Sequence, residues 1–248
     1  MTSFSLARYV AGVCTAIAML AGCGGSQSPI AVPGVMPQTS RIGTHADRGM
    51  SWMLPEAKSE DLLYASSQSG PTTYYRPTVW VFSFPQGKLV GKLMGFSPTA
   101  QLYGLCTDHK GDIFVTASGT GTALQSQIYE FAHGGTQSKA TLNDPGSAIG
   151  CAVDPTTGNL AVTNNFSLSG PSNNGNVEIY RHAKGRPTMY YDKNIYSYYY
   201  CAYDDKGDLF VDGVAGYRAV PLGELLKGSA SFSDFTLNTE TVGPGSLQ

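Results

Sequence analysis

Apolar residues recur in short runs bounded by polar turns, and one such run returns four times along the 248-residue chain. Gly111-Asp112-Ile113-Phe114-Val115-Thr116, Gly158-Asn159-Leu160-Ala161-Val162-Thr163 and Gly207-Asp208-Leu209-Phe210-Val211-Asp212 are close copies, and Glu60-Asp61-Leu62-Leu63-Tyr64-Ala65 is a fainter one. The polar residue that opens each run stands at 61, 112, 159 and 208, giving steps of 51, 47 and 49 residues. A period of about 40–50 residues predicts a repeat architecture, a propeller or a solenoid. The three apolar residues of each run are consecutive rather than alternating, so both faces of these strands are predicted to be buried.

Each unit carries further strand signals. A second strand is predicted at 81–84, 128–131 and 179–182, each followed three residues on by Gly87, Gly134 or Gly185; 222–225, leading to Gly228, is a weaker copy. A third follows at 88–93, 137–142, 187–191 and 232–237. The strand opening the next unit, at 102–107, 149–153 and 199–203, runs into Asp108, Asp154 or Asp204, with Gly111, Gly158 or Gly207 three or four residues later. An Asp that bonds backbone N–H groups and a Gly that takes positive φ make a hairpin turn, so these acids are read as turn residues and not as ligands. Four strands per unit predict an all-β fold, a β-propeller of four-stranded antiparallel blades with about four blades present.

The run apolar-x-Asp-x-x-Gly-[Asp/Asn]-apolar-aromatic-Val resembles the NHL-type and lactonase-type six-bladed propeller repeat. The resemblance covers residues 59–248. It implies a fold and no single activity, because such propellers serve as enzymes, ligand binders and scaffolds. Residues 51–59 do not resemble an opening strand, and Pro244-Gly245-Ser246 repeats Pro145-Gly146-Ser147, the lead-in to one. The pattern therefore stops inside a repeat. A partial or open propeller, cut from a longer parent, is expected; the alternative is a small ring in which 241–248 completes the first blade.

The first 22 residues have another character. Arg8 precedes an apolar run at 9–20 that ends in Leu20-Ala21-Gly22-Cys23. A run of this length before small residues is an export signal and is too short to span a bilayer. Leu-Ala-Gly-Cys resembles the lipobox of bacterial lipoproteins at all four positions. The resemblance implies acylation of Cys23 as the mature N-terminus, and Gly24 in place of Asp leans toward the outer membrane. The chain is thus expected to be exported and lipid-anchored to the cell envelope, at the outer membrane or cell surface. Residues 23–58 form the lipidated Cys and a Gly/Ser/Pro/Gln-rich tether, although 50–58, with Trp52 and Met53, could equally pack on the first blade.

A net charge of −2 with 14% charged residues offers no basic face, which excludes nucleic acid as a partner. Beyond the signal, Cys106, Cys151 and Cys201 remain, so at least one stays unpaired. Cys151 and Cys201 lie three residues before their turn Asp and Cys106 lies two before. Cys106 should then face the other side of its strand. Buried, inert thiols are expected, with a Cys151–Cys201 bridge as the alternative.

Lactonase-type propellers set a Glu and Asn/Asp oxygens around a divalent metal in the central channel. The resemblance makes Asn164, Asn165 and Asp212 the metal candidates, with Ser66, Ala117 and Gly213 at the matching places and no counterpart of the family's Glu. His45, His109, His133 and His182 show no metal-ligand spacing, and no nucleophile elbow or phosphate loop is present. No catalytic residue and no cofactor is assigned. Tyr190, Tyr191, Tyr196, Tyr198, Tyr199, Tyr200 and Tyr203 cluster in the last units; Tyr196, Tyr198, Tyr199 and Tyr200 are the candidate ligand surface, strand filler being the competing account. A polar stretch at 166–176 is a candidate ligand loop. The expected function is a lipid-anchored binding module for a protein or glycan, leaning against an enzyme; the alternative is a metal-dependent lactonase-type hydrolase at the central channel.

Overall fold

A computed structural model of the chain describes residues 49–67, 76–119, 125–167, 174–215, 220–235 and 244–245. The chain divides into the units Met1–Ala46 and Asp47–Gln248, and every described residue lies in the second. The signal segment, Cys23, the tether up to residue 48 and most of 241–248 lie outside the described residues.

Four antiparallel four-stranded sheets follow one another along the chain. The second blade comprises β5 (Gln101–Thr107), β6 (Ile113–Ser118), β7 (Ser126–Phe131) and β8 (Ser138–Asp144), ordered from one edge to the other. The third repeats it with β9 (Gly146–Val153), β10 (Leu160–Ser167), β11 (Asn174–Tyr180) and β12 (Thr188–Tyr190). The fourth is β13 (Ser197–Tyr203), β14 (Leu209–Val214), β15 (Leu222–Leu225) and β16 (Ser233–Phe235). The turns are built as their residues dictate. Asp108 Oδ1 accepts the N–H groups of Lys110 and Asp112, Asp204 Oδ1 those of Lys206 and Asp208, and Gly111 and Gly207 sit at φ 77° and 88°.

The first blade differs. Its inner edge is β2 (Asp61–Ser67), followed by β3 (Thr78–Phe84) and β4 (Leu89–Leu93), and β1 (Trp52–Met53) adds to the outer side of β4. Residues 52–53 are therefore part of the blade and not of the tether, since Trp52 pairs with Lys92 and Met53 with Gly91. No inner strand covers β2 among the described residues, whereas β5, β9 and β13 cover its counterparts.

The repeat is also one residue out of phase here. Ile113 and Val115 point toward the first blade, in one apolar cluster with Val79 and Val81. Leu62 and Tyr64 join that same cluster, so they point toward the second blade instead of away from it. A slip of one residue exchanges the two faces of a strand, and Asp61, which pairs with Phe84 as Ile113 pairs with Phe131, takes the place of Leu62 as the structural counterpart of Ile113.

Blades stack through three apolar clusters: Val79, Val81, Ile113 and Val115 join the first and second, Phe114, Ile128, Leu160 and Val162 the second and third, and Ala161, Val177, Leu209 and Val211 the third and fourth. Among the described residues no cluster joins the fourth to the first, so the blades form an open arc.

The second and third seams are each also fastened by one side chain. Thr116 Oγ1 accepts the N–H of Gly104 in its own blade at 2.7 Å and donates to the Ile149 carbonyl of the next at 3.2 Å. Thr163 Oγ1 likewise accepts from Gly150 at 2.9 Å and donates to the Tyr199 carbonyl at 2.7 Å. The inner strands approach so closely that a Cβ on Gly104 would stand 2.7 Å from the Ile149 carbonyl oxygen, and one on Gly150 2.6 Å from that of Tyr199. Glycine is required at both positions. Replacing buried Thr163 by Val keeps the shape and orphans a donor and an acceptor. Thermal unfolding should show a loss of about 2 kcal/mol; an unchanged midpoint would remove the clip from the account of stability.

Cys106 and Cys151 are joined by a disulfide across the second seam, with Cα atoms 5.8 Å apart, and Cys201 is a free buried thiol. This departs from the expected set of three thiols and from the Cys151–Cys201 alternative. Opposite faces of successive blades meet, so two cysteines in opposite phase, 106 and 151, come together. Two in the same phase, 151 and 201, are kept a blade apart. Burial pushes the Cys201 thiol well above its ordinary value, leaving it protonated.

Candidate functional site

Where β8 passes into β9 and β10 ends, a polar cluster is buried in the seam between the second and third blades. Asp144 closes β8 and Glu178 projects from β11; they are 1% and 0% exposed. The Tyr180 hydroxyl donates to Asp144 Oδ2 at 2.9 Å and lies 3.2 Å from Glu178 Oε2. Asn176 Nδ2 donates to Glu178 Oε1 at 3.3 Å, Asn164 Nδ2 donates to Asn176 Oδ1 at 3.0 Å, and the Gly146 N–H donates to Asp144 Oδ1 at 2.8 Å. Ser118, Ser126 and Ser147 continue the network along the same end. Asn164 Oδ1 is buried without a hydrogen-bond partner.

Among the described residues neither carboxyl has a salt bridge. Two like charges cannot both persist in so dry a place, so one proton is held within the pair. Burial, and then the Asp144 charge, push Glu178 up to about 8, and burial likewise raises Asp144. In the unfolded chain Glu178 titrates near its ordinary 4.5. Above that value the folded state holds a proton that the unfolded chain has released. The contribution is full below about pH 4.5 and lost as pH rises through about 8. The melting temperature is therefore expected to fall between pH 6 and pH 9, and Glu178→Gln should flatten that slope. A wild-type profile as flat as the variant's would refute the shared proton. Without exposure the pair meets no substrate and serves the seam.

The sequence candidates are dispersed. Asn164 is absorbed in this cluster, on the side of β10 that faces the second blade. Asn165 follows it, half-buried. Asp212 stands at the clip position of the fourth blade, the counterpart of Thr116 and Thr163. Its Oδ1 accepts the Tyr200 N–H and its Oδ2 the Gly245 N–H, both at 2.8 Å. It faces outward from the arc while Asn164 faces inward, so the structure does not bring the two together. Ala117 is core, and Gly213 is pressed against the Ser197 carbonyl. Among the described residues no group of three or more His, Cys, Asp or Glu is placed to hold a metal ion.

The tyrosines divide. Tyr198 is fully buried in the third seam, its hydroxyl within 2.5 Å of the Asp192 amide nitrogen, so it belongs to the core and not to a surface. Tyr199 is half-buried, and Tyr196 and Tyr200 are exposed. The Tyr199 and Tyr200 rings lie 6.5 Å apart, tilted by 41°. Tyr200 occupies the position held by Gly104 and Gly150 in the preceding blades. Of the candidate loop at 166–176, residues 168–173 lie outside the described residues.

Sequence reasoning passed over the clip threonines and the acid pair. The threonines carried a signal, closing the repeated run at 116 and 163 with Asp at 212. Glu178 carried one too, as an acid between Val177 and Ile179 in a strand.

No known family's profile matches the chain, and no curated protein matches it in sequence. Solved structures do match in fold. TolB from Acinetobacter baumannii aligns with a TM-score of 0.54 at 11% identity over 78% of this chain and 46% of its own. A structure of a nidogen/laminin complex gives 0.50 at 15% over 75% and 64%, and an auxiliary nutrient binding protein from Bacteroides ovatus 0.50 at 18% over 79% and 43%. The chain thus spans less than two thirds of each. These likenesses and the four four-stranded sheets establish a β-propeller fold.

Proposed function

We propose that this chain is an exported, lipid-anchored propeller of the NHL-like kind that binds a protein or glycan without turning it over. The docking surface lies along the inner strand of the fourth blade, formed by Tyr196, Tyr199 and Tyr200. What supports this reading is Tyr200: at the phase where the earlier blades can hold only glycine, the fourth presents a large ring to solvent. A flat apolar face with a polar tip suits a sugar ring or a protein surface. The oxygens of Asp212, meanwhile, are engaged with backbone N–H groups, which competes with the convergence that a catalytic cation needs.

Capture from a fragmented cell envelope on the immobilised full chain tests the reading. Wild type should retain a specific protein or glycan, and Tyr196→Ala with Tyr200→Ala should lose it. Tight calorimetric binding of Ca²⁺, Mn²⁺ or Zn²⁺ together with lactone hydrolysis, both abolished by Asn164→Ala with Asp212→Ala, would overturn it in favour of the hydrolase.

A further inference from the structure

The buried polar cluster between the second and third blades carries more negative charge than its own groups compensate. Asp144 and Glu178 bring two carboxyls into a seam where they are 1% and 0% exposed. A shared proton removes one of the two charges and leaves the other. Taking a carboxylate out of water is costly unless a cation balances it. The pair instead receives neutral donors, from Tyr180, Asn176 and Gly146. The sequence holds no Lys, Arg or His from 111 to 132 or from 140 to 180. Those stretches include 120–124 and 168–173, which connect β6 to β7 and β10 to β11, so neither connection can contribute a basic side chain.

A second observation points the same way. Asn164 is fully buried on β10, with its side chain in hydrogen-bond reach of Asp144, yet its Oδ1 has no hydrogen-bond partner. That oxygen lies 2.6 Å from the place a Cβ would take on Gly146, the residue whose N–H holds Asp144 Oδ1. The orphan acceptor therefore stands on the Asp144 side of the cluster. Carboxylate, carboxamide and phenol oxygens from β8, β10 and β11 converge, with no imidazole or thiolate among them. Two acids with neutral oxygens suit calcium. Zinc takes nitrogen and sulfur, and magnesium keeps several waters for which so dry a seam is a poor host.

We propose that Asp144, Glu178 and the Asn164 carboxamide oxygen bind a calcium ion that locks the second blade to the third. The ion is structural. It is distinct from the Asn164, Asn165 and Asp212 set of the hydrolase reading, since it needs neither Asp212 nor an open coordination position. Both carboxyls are ionised when it is bound, so the pH profile given above is that of the metal-free protein.

The full chain carrying Cys23→Ala, stripped with a chelator and returned to calcium, tests it. The thermal midpoint should rise by about 5–10 °C once calcium exceeds its Kd a hundredfold, with no comparable rise in magnesium or sodium. Terbium, a calcium-sized ion excited through a neighbouring tyrosine, should emit through Tyr180 and be displaced by calcium. Glu178→Gln and Asp144→Asn should each lose the rise and the emission, whereas Asp212→Ala should keep both. A wild type indifferent to calcium by midpoint and by emission would overturn the proposal, as would an undiminished response in Glu178→Gln. Loss of the response in Asp212→Ala would refute the seam site and favour the metal of a hydrolase. Should both acid variants misfold, elemental analysis of the chain before chelation decides: calcium retained by wild type and by Asp212→Ala supports the site, and none in wild type refutes it.

Discussion

Replacing Cys106 and Cys151 by Ala is expected to lower the thermal midpoint by about 10 °C. The bond closes a loop of sequence separation 45. A loop of that length restricts the unfolded chain by about 4 kcal/mol in the chain-entropy account. A domain of this size converts each kcal/mol into about 2–4 °C. The same change leaves Cys201 untouched, so Cys201→Ala serves as the control. Its thiol is buried but unbridged, and the expected loss is confined to a small cavity. Calorimetric scans of the two variants against wild type decide the matter. Equal midpoints for wild type and the double variant would show that the seam holds without its bond.

Cys23→Ala is expected to move the protein wholly from the membrane fraction to the soluble one. Each buried CH₂ of an acyl chain contributes about 0.8 kcal/mol, and one chain alone anchors only marginally. Loss of all acyl chains at one residue therefore acts as a switch. Among the described residues no helix is long and apolar enough to cross a bilayer. Fractionation with a labelled fatty acid reads both halves of the claim. Label absent from wild type, or the variant still sedimenting with membranes, would dispose of the lipobox reading.

The blades were legible because their cause is local. An Asp that binds its own turn and a Gly at positive φ leave the same mark each time they recur, and the apolar run after them reports burial on both faces. The first copy, at 60–65, kept the composition of the run and lost its phase, and among the described residues no inner strand lies against β2. The disulfide was hidden for a different reason. Sequence phase correctly set Cys106 opposite Cys151 on their strands, and only the stacking of successive blades turns opposite phase into contact. The acid pair was invisible because Asp144 ends one repeat and Glu178 lies within the next, and no periodicity links them. Tyr198 and Tyr200 are separated by a single residue, and a register shift between Tyr198 and Cys201 sends one into the core and leaves the other in solvent.

The position of the disulfide has a kinetic meaning. In a linear array each unit is supported only by its neighbours, so loss of structure starts at the ends and travels inward. Among the described residues the first and fourth blades have one neighbouring blade each, and the bond lies in the central seam. Fraying from either side then stops at a pair of blades that cannot separate, and that pair remains as the template on which the outer two close again.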